Sequence, residues 1–205
     1  LDDEDDSNFE YTEVDFDSSY ANTEMDSEEI LTFVTRYAYT TYGVFDACIT
    51  GDPGRDDDCA SYEDKDILSV SSSGPLTITS IVQDIEKLGS GSSTVDLYLD
   101  IEASINPSSS EQLVSIDDTT EPSCSIITDF ETGVEVDVIW LNEAYDCGLM
   151  YFEKGEDRAS TSCVIENLDT DQFAGSKSNK VKQDQWVSID YGWEQRDSVI
   201  FTVLA

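Results

Sequence analysis

Residues 93–105 read STVDLYLDIEASI, and the alternation in this stretch decides the fold class. Val95, Leu97, Leu99 and Ile101 fall on one side of an extended strand, and Asp96, Tyr98, Asp100 and Glu102 on the other. A period of two marks a sheet with one dry face and one wet face. Upstream, LTITSIVQDIEKL (residues 76–88) reaches the same strand through a Gly-Ser turn, which predicts a long hairpin. Downstream, ETGVEVDVIWL (131–141) alternates again, with Val134, Val136 and Val138 inward and Glu135 and Asp137 outward.

GLMYFEKGEDRASTSCVIENL (148–168) reads as a further hairpin turning at Gly155. DQWVSIDYGWEQRDSVIFTVLA (184–205) reads as two last strands joined near residues 194–197. Seven or more short strands separated by turn signals predict a mainly β chain, an immunoglobulin-like or jelly-roll β-sandwich. No internal repeat of solenoid period occurs. The expected organisation is an acidic N-terminal arm over residues 1–26 and a single sandwich domain over residues 27–205.

One N-terminal helix is expected at about residues 27–48. Asp26 and Glu29 have capping-box spacing, and carboxylates crowd the first turn, where the helix dipole favours them. Ile30, Val34, Tyr37, Thr41, Val44 and Cys48 recur at steps of three or four. The same segment is rich in Thr, Tyr, Phe and Val, so an extended conformation is the competing reading.

The chain has 205 residues, 46 Asp and Glu against 10 Lys and Arg, no histidine, and a formal net charge of −36. Such a surface repels phosphate backbones and anionic headgroups, which argues against nucleic-acid and membrane-surface roles. Without histidine there is no His-based triad, no His metal site and no imidazole proton shuttle. No apolar run reaches membrane-spanning length. Apolar residues are 39% of the chain and aromatic residues 10%, both suited to a folded core under a carboxylate-covered outside. Salt shortens the range of self-repulsion from about 10 Å at 0.1 M to about 3 Å at 1 M. The protein is therefore expected to prefer salt or bound multivalent cations.

Residues 1–29 hold 13 carboxylates and no basic residue. Phe9, Tyr11, Val14 and Phe16 are spaced through them, so the arm reads either as a solvated tail or as a donor strand with its aromatic groups inward. Three of the six lysines, Lys177, Lys180 and Lys182, fall in SKSNKVKQ, the one basic stretch. A basic loop of one subunit receiving the acidic arm of the next makes a heterologous contact, which yields a filament when the rotation does not close.

The five cysteines form no CxxC pair, so disulfides in an oxidising, secreted setting are expected over zinc. Cys48 and Cys59 flank a turn-rich loop, and Cys147 and Cys163 lie symmetrically about Gly155. Cys124 is left over, to be buried as a thiol or bonded to another subunit. No Asn-x-Ser/Thr sequon is present. The start at LDDEDD, without Met, reads as a processed, mature chain.

Hard divalent cations take six to eight oxygen ligands, best supplied by clustered carboxylates and carbonyls. The candidate clusters are residues 2–6, the loop group Asp56, Asp57, Asp58, Glu63 and Asp64, and the strand face of Asp96, Asp100 and Glu102. Bound Ca²⁺ is expected, although no stretch has EF-hand spacing. Paired carboxylates beside Trp140, Trp186 or Trp193 would suit a glycosidase, but nothing in the sequence places two in one cleft. The chain offers neither a Walker lysine nor an electropositive cysteine. These features together predict an extracellular or cell-surface structural subunit that self-assembles, with divalent cations and further copies of itself as partners. A monomeric, salt-adapted binding module is the second reading, and a carbohydrate-active enzyme the third.

Overall fold

The computed structural model describes residues 27–49, 65–87, 94–119, 131–169 and 185–203. Its strands are β1 (Ser27–Phe45), β2 (Leu68–Ser71), β3 (Leu76–Lys87), β4 (Thr94–Ile105), β5 (Glu111–Val114), β6 (Glu131–Trp140), β7 (Glu143–Glu153), β8 (Arg158–Asp169) and β9 (Gln185–Val203). They form two antiparallel sheets. The larger runs β2-β1-β9-β6-β7, with β5 also paired to β9, and the smaller runs β3-β4-β8. The chain divides into two units, one of Leu1–Thr32 with Ser198–Ala205 and one of Phe33–Asp197.

In the larger unit β4 is central to its sheet, and Val95, Leu97, Leu99 and Ile101 are all buried, as their alternation requires. Each such side chain contributes about 1.5–3 kcal/mol on burial. β6 obeys the same rule. Val134, Val136, Val138 and Trp140 join the β4 residues in a single hydrophobic cluster, together with Val187, Ile189, Tyr191 and Trp193 of β9. The hairpin of β3 and β4 pairs from Leu76 opposite Ile105 to Lys87 opposite Val95.

Three expectations are corrected. The segment expected as a helix over residues 27–48 is a strand from Ser27 to Phe45. Twelve of those 19 residues are β-branched or aromatic, and the burial period is two: Thr41, Gly43 and Phe45 are buried while Tyr42 is exposed. The three-four stripe does not form a face, since Ile30, Val34 and Tyr37 are exposed. Residues 184–205 do not turn near residues 194–197, because β9 is one continuous strand of 19 residues. The charges that suggested a turn are neutralised within the sheet instead. Finally, β7 and β8 do turn at Gly155, whose φ of 89° favours glycine, but they are not a hairpin of one sheet. β7 pairs with β6 and β8 with β4, so the turn carries the chain from one sheet to the other.

Two local devices hold the ends of this framework. Gln83 on β3 is fully buried, and its amide accepts from the Cys48 N–H and donates to the Cys48 carbonyl, both at 2.9 Å. Three residues beyond β1, a side chain thus pairs the Cys48 backbone as a neighbouring strand would. At Gly192 a Cβ would meet Val114 Cγ2 at 2.6 Å and the Ser115 carbonyl oxygen at 2.7 Å, so only glycine lets β5 lie this close to β9. Among the described residues no helix is long and apolar enough to cross a membrane.

Candidate functional site

Asp96, Asp100 and Glu102 share the outward face of β4, but each has its own partner across the strand pair. Asp96 accepts from the Asn167 N–H at 2.8 Å, Asp100 accepts from the Ser162 hydroxyl, and Glu102 takes Arg158 at 3.2 Å. These partners pull the carboxylates toward β8 rather than toward one another. No three Asp, Glu, Cys or His side chains among the described residues are arranged to hold a metal ion. The loop group Asp56, Asp57, Asp58, Glu63 and Asp64 lies outside the described residues, as do Phe9, Tyr11, Val14, Phe16, Lys177, Lys180, Lys182, Cys59 and Cys124.

Cys147 and Cys163 are bonded to each other, joining β7 of one sheet to β8 of the other. Cys48 is also disulfide-bonded. Trp140 and Trp193 belong to the core, whereas Trp186 is 39% exposed on the outward side of β9.

The most heavily buried charge among the described residues is one that sequence reasoning missed. Glu194 is fully buried on β9, where Arg36 of β1 reaches Oε2 at 2.8 Å and Arg196 reaches Oε1 at 2.6 Å. Gln112 of β5 donates to Oε1 at 3.0 Å. One carboxylate therefore ties three strands together with charge-assisted bonds. Its only sequence signal was scarcity: two of the chain's four arginines converge here.

Outward-facing groups on β7, β6 and β9 form a second electrostatic feature. Asp137 on β6 lies opposite Asp146 on β7 and opposite Ser188 on β9, while Glu135 lies opposite Asp190. Asp190 accepts from the Thr40 hydroxyl, and Asp146 accepts from the Gly148 N–H at 2.8 Å. The ion pairs seen among the described residues go to Glu194 and Glu102, not to this row. Burial, followed by the Asp146 and Asp190 charges, pushes the Asp137 carboxyl above the ordinary aspartate range.

In the smaller unit, the Thr32 and Ser198 hydroxyls meet at 3.0 Å, fixing the outer ends of β1 and β9 side by side. One residue outward come Leu31 and Val199, at 42% and 54% exposure, and two residues outward come Ile30 and Ile200, at 68% and 65%. Because neighbours on a strand point oppositely, these four cover both faces with exposed apolar groups. Residues 30–35 and 198–203 contain no charged side chain at all, in a chain of net charge −36. On β1 the next residues outward are Glu29 and Glu28, so the apolar group is bounded by charge. No family model, no curated protein and no solved structure matches this chain.

Proposed function

We propose that this chain is a secreted structural subunit that self-assembles into an extracellular filament or surface layer, with divalent cations, Ca²⁺ first among them, or high salt offsetting its charge. Its sheets are then those of an immunoglobulin-like or jelly-roll sandwich, with Cys48 bonded to Cys59. One observation carries the reading: Ile30, Leu31, Val199 and Ile200 stand exposed together at the outer ends of β1 and β9. Covering these side chains with another chain removes apolar surface worth about 25 cal/mol per Å². The disulfide of Cys147 and Cys163 supports an oxidising compartment. The arm, with Phe9, Tyr11, Val14 and Phe16, would act as the donor segment, its carboxylates held by cations.

The test is light scattering and electron microscopy of the oxidised protein in low and high salt, with and without Ca²⁺. Assembly is expected in high salt or Ca²⁺, and it should disappear in an Ile30→Lys/Ile200→Lys variant that keeps its melting transition. Leu31→Lys/Val199→Lys addresses the other face. A wild-type protein that stays monomeric in every condition overturns the proposal in favour of a monomeric acidic binding module.

A further inference from the structure

The two sheets are joined at their two edges by different means. At the β2 edge the joint is hydrogen-bonded. Residues 66–71 begin beside β3 of the smaller sheet, where Asp66 bridges to Val82 and the Ile67 N–H donates to the Ile81 carbonyl at 2.8 Å. They end as β2, which pairs with β1 of the larger sheet, Val70 opposite Val44 and Ser71 opposite Gly43. The Asp66 carboxylate accepts from the Leu68 N–H at 3.0 Å and from the Ile81 N–H at 3.1 Å, so this crossing is bonded to both sheets.

The other edge is built differently. Among the described residues β7 pairs with β6 alone and β8 with β4 alone, and no backbone hydrogen bond runs between β7 and β8. Beyond the turn at residues 154–157, the covalent link across this seam is the Cys147–Cys163 bond, which holds the two Cα atoms 4.9 Å apart. β7 is also loosely paired on its bonded side. Its ladder with β6 is interrupted between Glu135 and Asp137, and beside the interruption Asp137 faces Asp146, a like-charge pair that disfavours pairing. β6 ends on Trp140, opposite Glu143 of β7, and the buried Trp140 Nε1 has no hydrogen-bond partner among the described residues. A buried N–H of this kind gains from any motion that brings water to it.

We propose that the Cys147–Cys163 bond is a thiol-operated latch, whose opening lets β7 and β8 part about the turn at Gly155 while the β2 edge stays joined. The inference goes beyond self-assembly and is independent of it, because a single molecule displays it. Cys147 is the point of attack, being half-buried where Cys163 is 2% exposed. A thiolate forms a bond to Cys147 Sγ, the Sγ–Sγ bond breaks, and Cys163 leaves as a thiolate and takes up a proton. A second thiol then displaces Cys147 from the mixed disulfide, so two thiols are oxidised to one disulfide while the protein gains two thiol groups. Once parted, β7 and β8 offer unpaired backbone edges to another strand, so the latch decides whether this side of the fold is closed or an acceptor.

The experiment is hydrogen exchange, read by mass spectrometry, on the wild type and on Cys147→Ser/Cys163→Ser, which leaves the Cys48 bridge in place. Amides bonding β7 to β6 and β8 to β4 should exchange about tenfold faster in the variant, and those between β3 and β4 or β6 and β9 far less so. An equal rise in every strand shows a loss of global stability and overturns the latch, as does no change at β7 and β8. Cys147→Ala/Cys163→Val, apolar at both positions, repeats the comparison. A chain unfolded in both variants also overturns the latch, because the bond then holds the whole fold and not one seam. In the wild type, an uncharged dithiol followed by alkylation, without denaturant, should label Cys147 and Cys163 while the far-ultraviolet circular dichroism is retained. Protection of both until the protein unfolds overturns the thiol step.

Discussion

Replacing Glu194 by Gln keeps the shape of the side chain and removes its charge, leaving the Arg36 and Arg196 guanidinium groups facing a neutral amide. In the native protein Glu194 is fully buried, the Arg36 side chain is 8% exposed and that of Arg196 30%. Removing one partner from a buried ion pair costs about 3–5 kcal/mol. Arg196 stays partly hydrated, which sets the expectation at about 3 kcal/mol. For a chain of this length each kcal/mol moves the melting point by about 2–4 °C, so Glu194→Gln should melt about 6–12 °C lower. The assay is urea unfolding followed by tryptophan fluorescence, since Trp140 and Trp193 are buried in the core. A second variant, Arg36→Met/Glu194→Leu/Arg196→Met, removes all three charges and should recover most of the loss, because replacing a whole buried ionic group by apolar side chains is often neutral. A loss below about 1 kcal/mol in Glu194→Gln would refute a buried, charge-assisted clamp. A triple variant as unstable as the single one would show that packing, not charge, holds the three strands.

Two further outcomes test the framework. Cys147→Ser/Cys163→Ser opens a loop spanning 16 residues and should cost about 3 kcal/mol, read by the same urea titration; an unchanged midpoint would show that the bridge constrains nothing. Asp137→Asn should stabilise at neutral pH by a few tenths of a kcal/mol, because the folded protein holds that carboxyl's pKa above its unfolded value. With a raised folded pKa, the penalty is absent below the unfolded value of about 3.9 and grows as pH rises through the folded one. The gain should therefore vanish near pH 3, and a gain that persists there contradicts the cause assigned.

The strands that could be read from sequence are those whose two faces meet different environments. β4 and β6 alternate because one side is in the core and the other in water, so residues 95–101 and 134–138 declare themselves locally. β1 misleads because its outward positions are not polar: Ile30, Val34 and Tyr42 are exposed, which erases the alternation and leaves a three-four pattern by accident. β9 misleads for the opposite reason. Glu194 and Arg196 look like turn residues, and the strand partners of Glu194, Arg36 and Gln112, lie 158 and 82 positions away. The Asp137, Asp146 and Ser188 row is equally invisible, since it exists only once the β6 register with β7 and β9 is set.

Ionic strength distinguishes the two kinds of electrostatics in this protein. The Glu194 clamp is shielded from solvent, and salt screens such pairs far less than exposed charges. The outward row of Asp137, Asp146 and Asp190 faces water, where raising salt from 0.1 M to 1 M contracts the screening length from about 10 Å to about 3 Å. Glu194→Gln should thus lose nearly the same stability in both buffers, while the benefit of Asp137→Asn should shrink in the saltier one. Two of only four arginines are committed to a buried glutamate, so the outer carboxylates have little internal charge to draw on. Dissolved cations are then the ready source of counter-charge for that surface. Were both variants to respond to salt alike, the division between a sealed clamp and an open acidic face would fail.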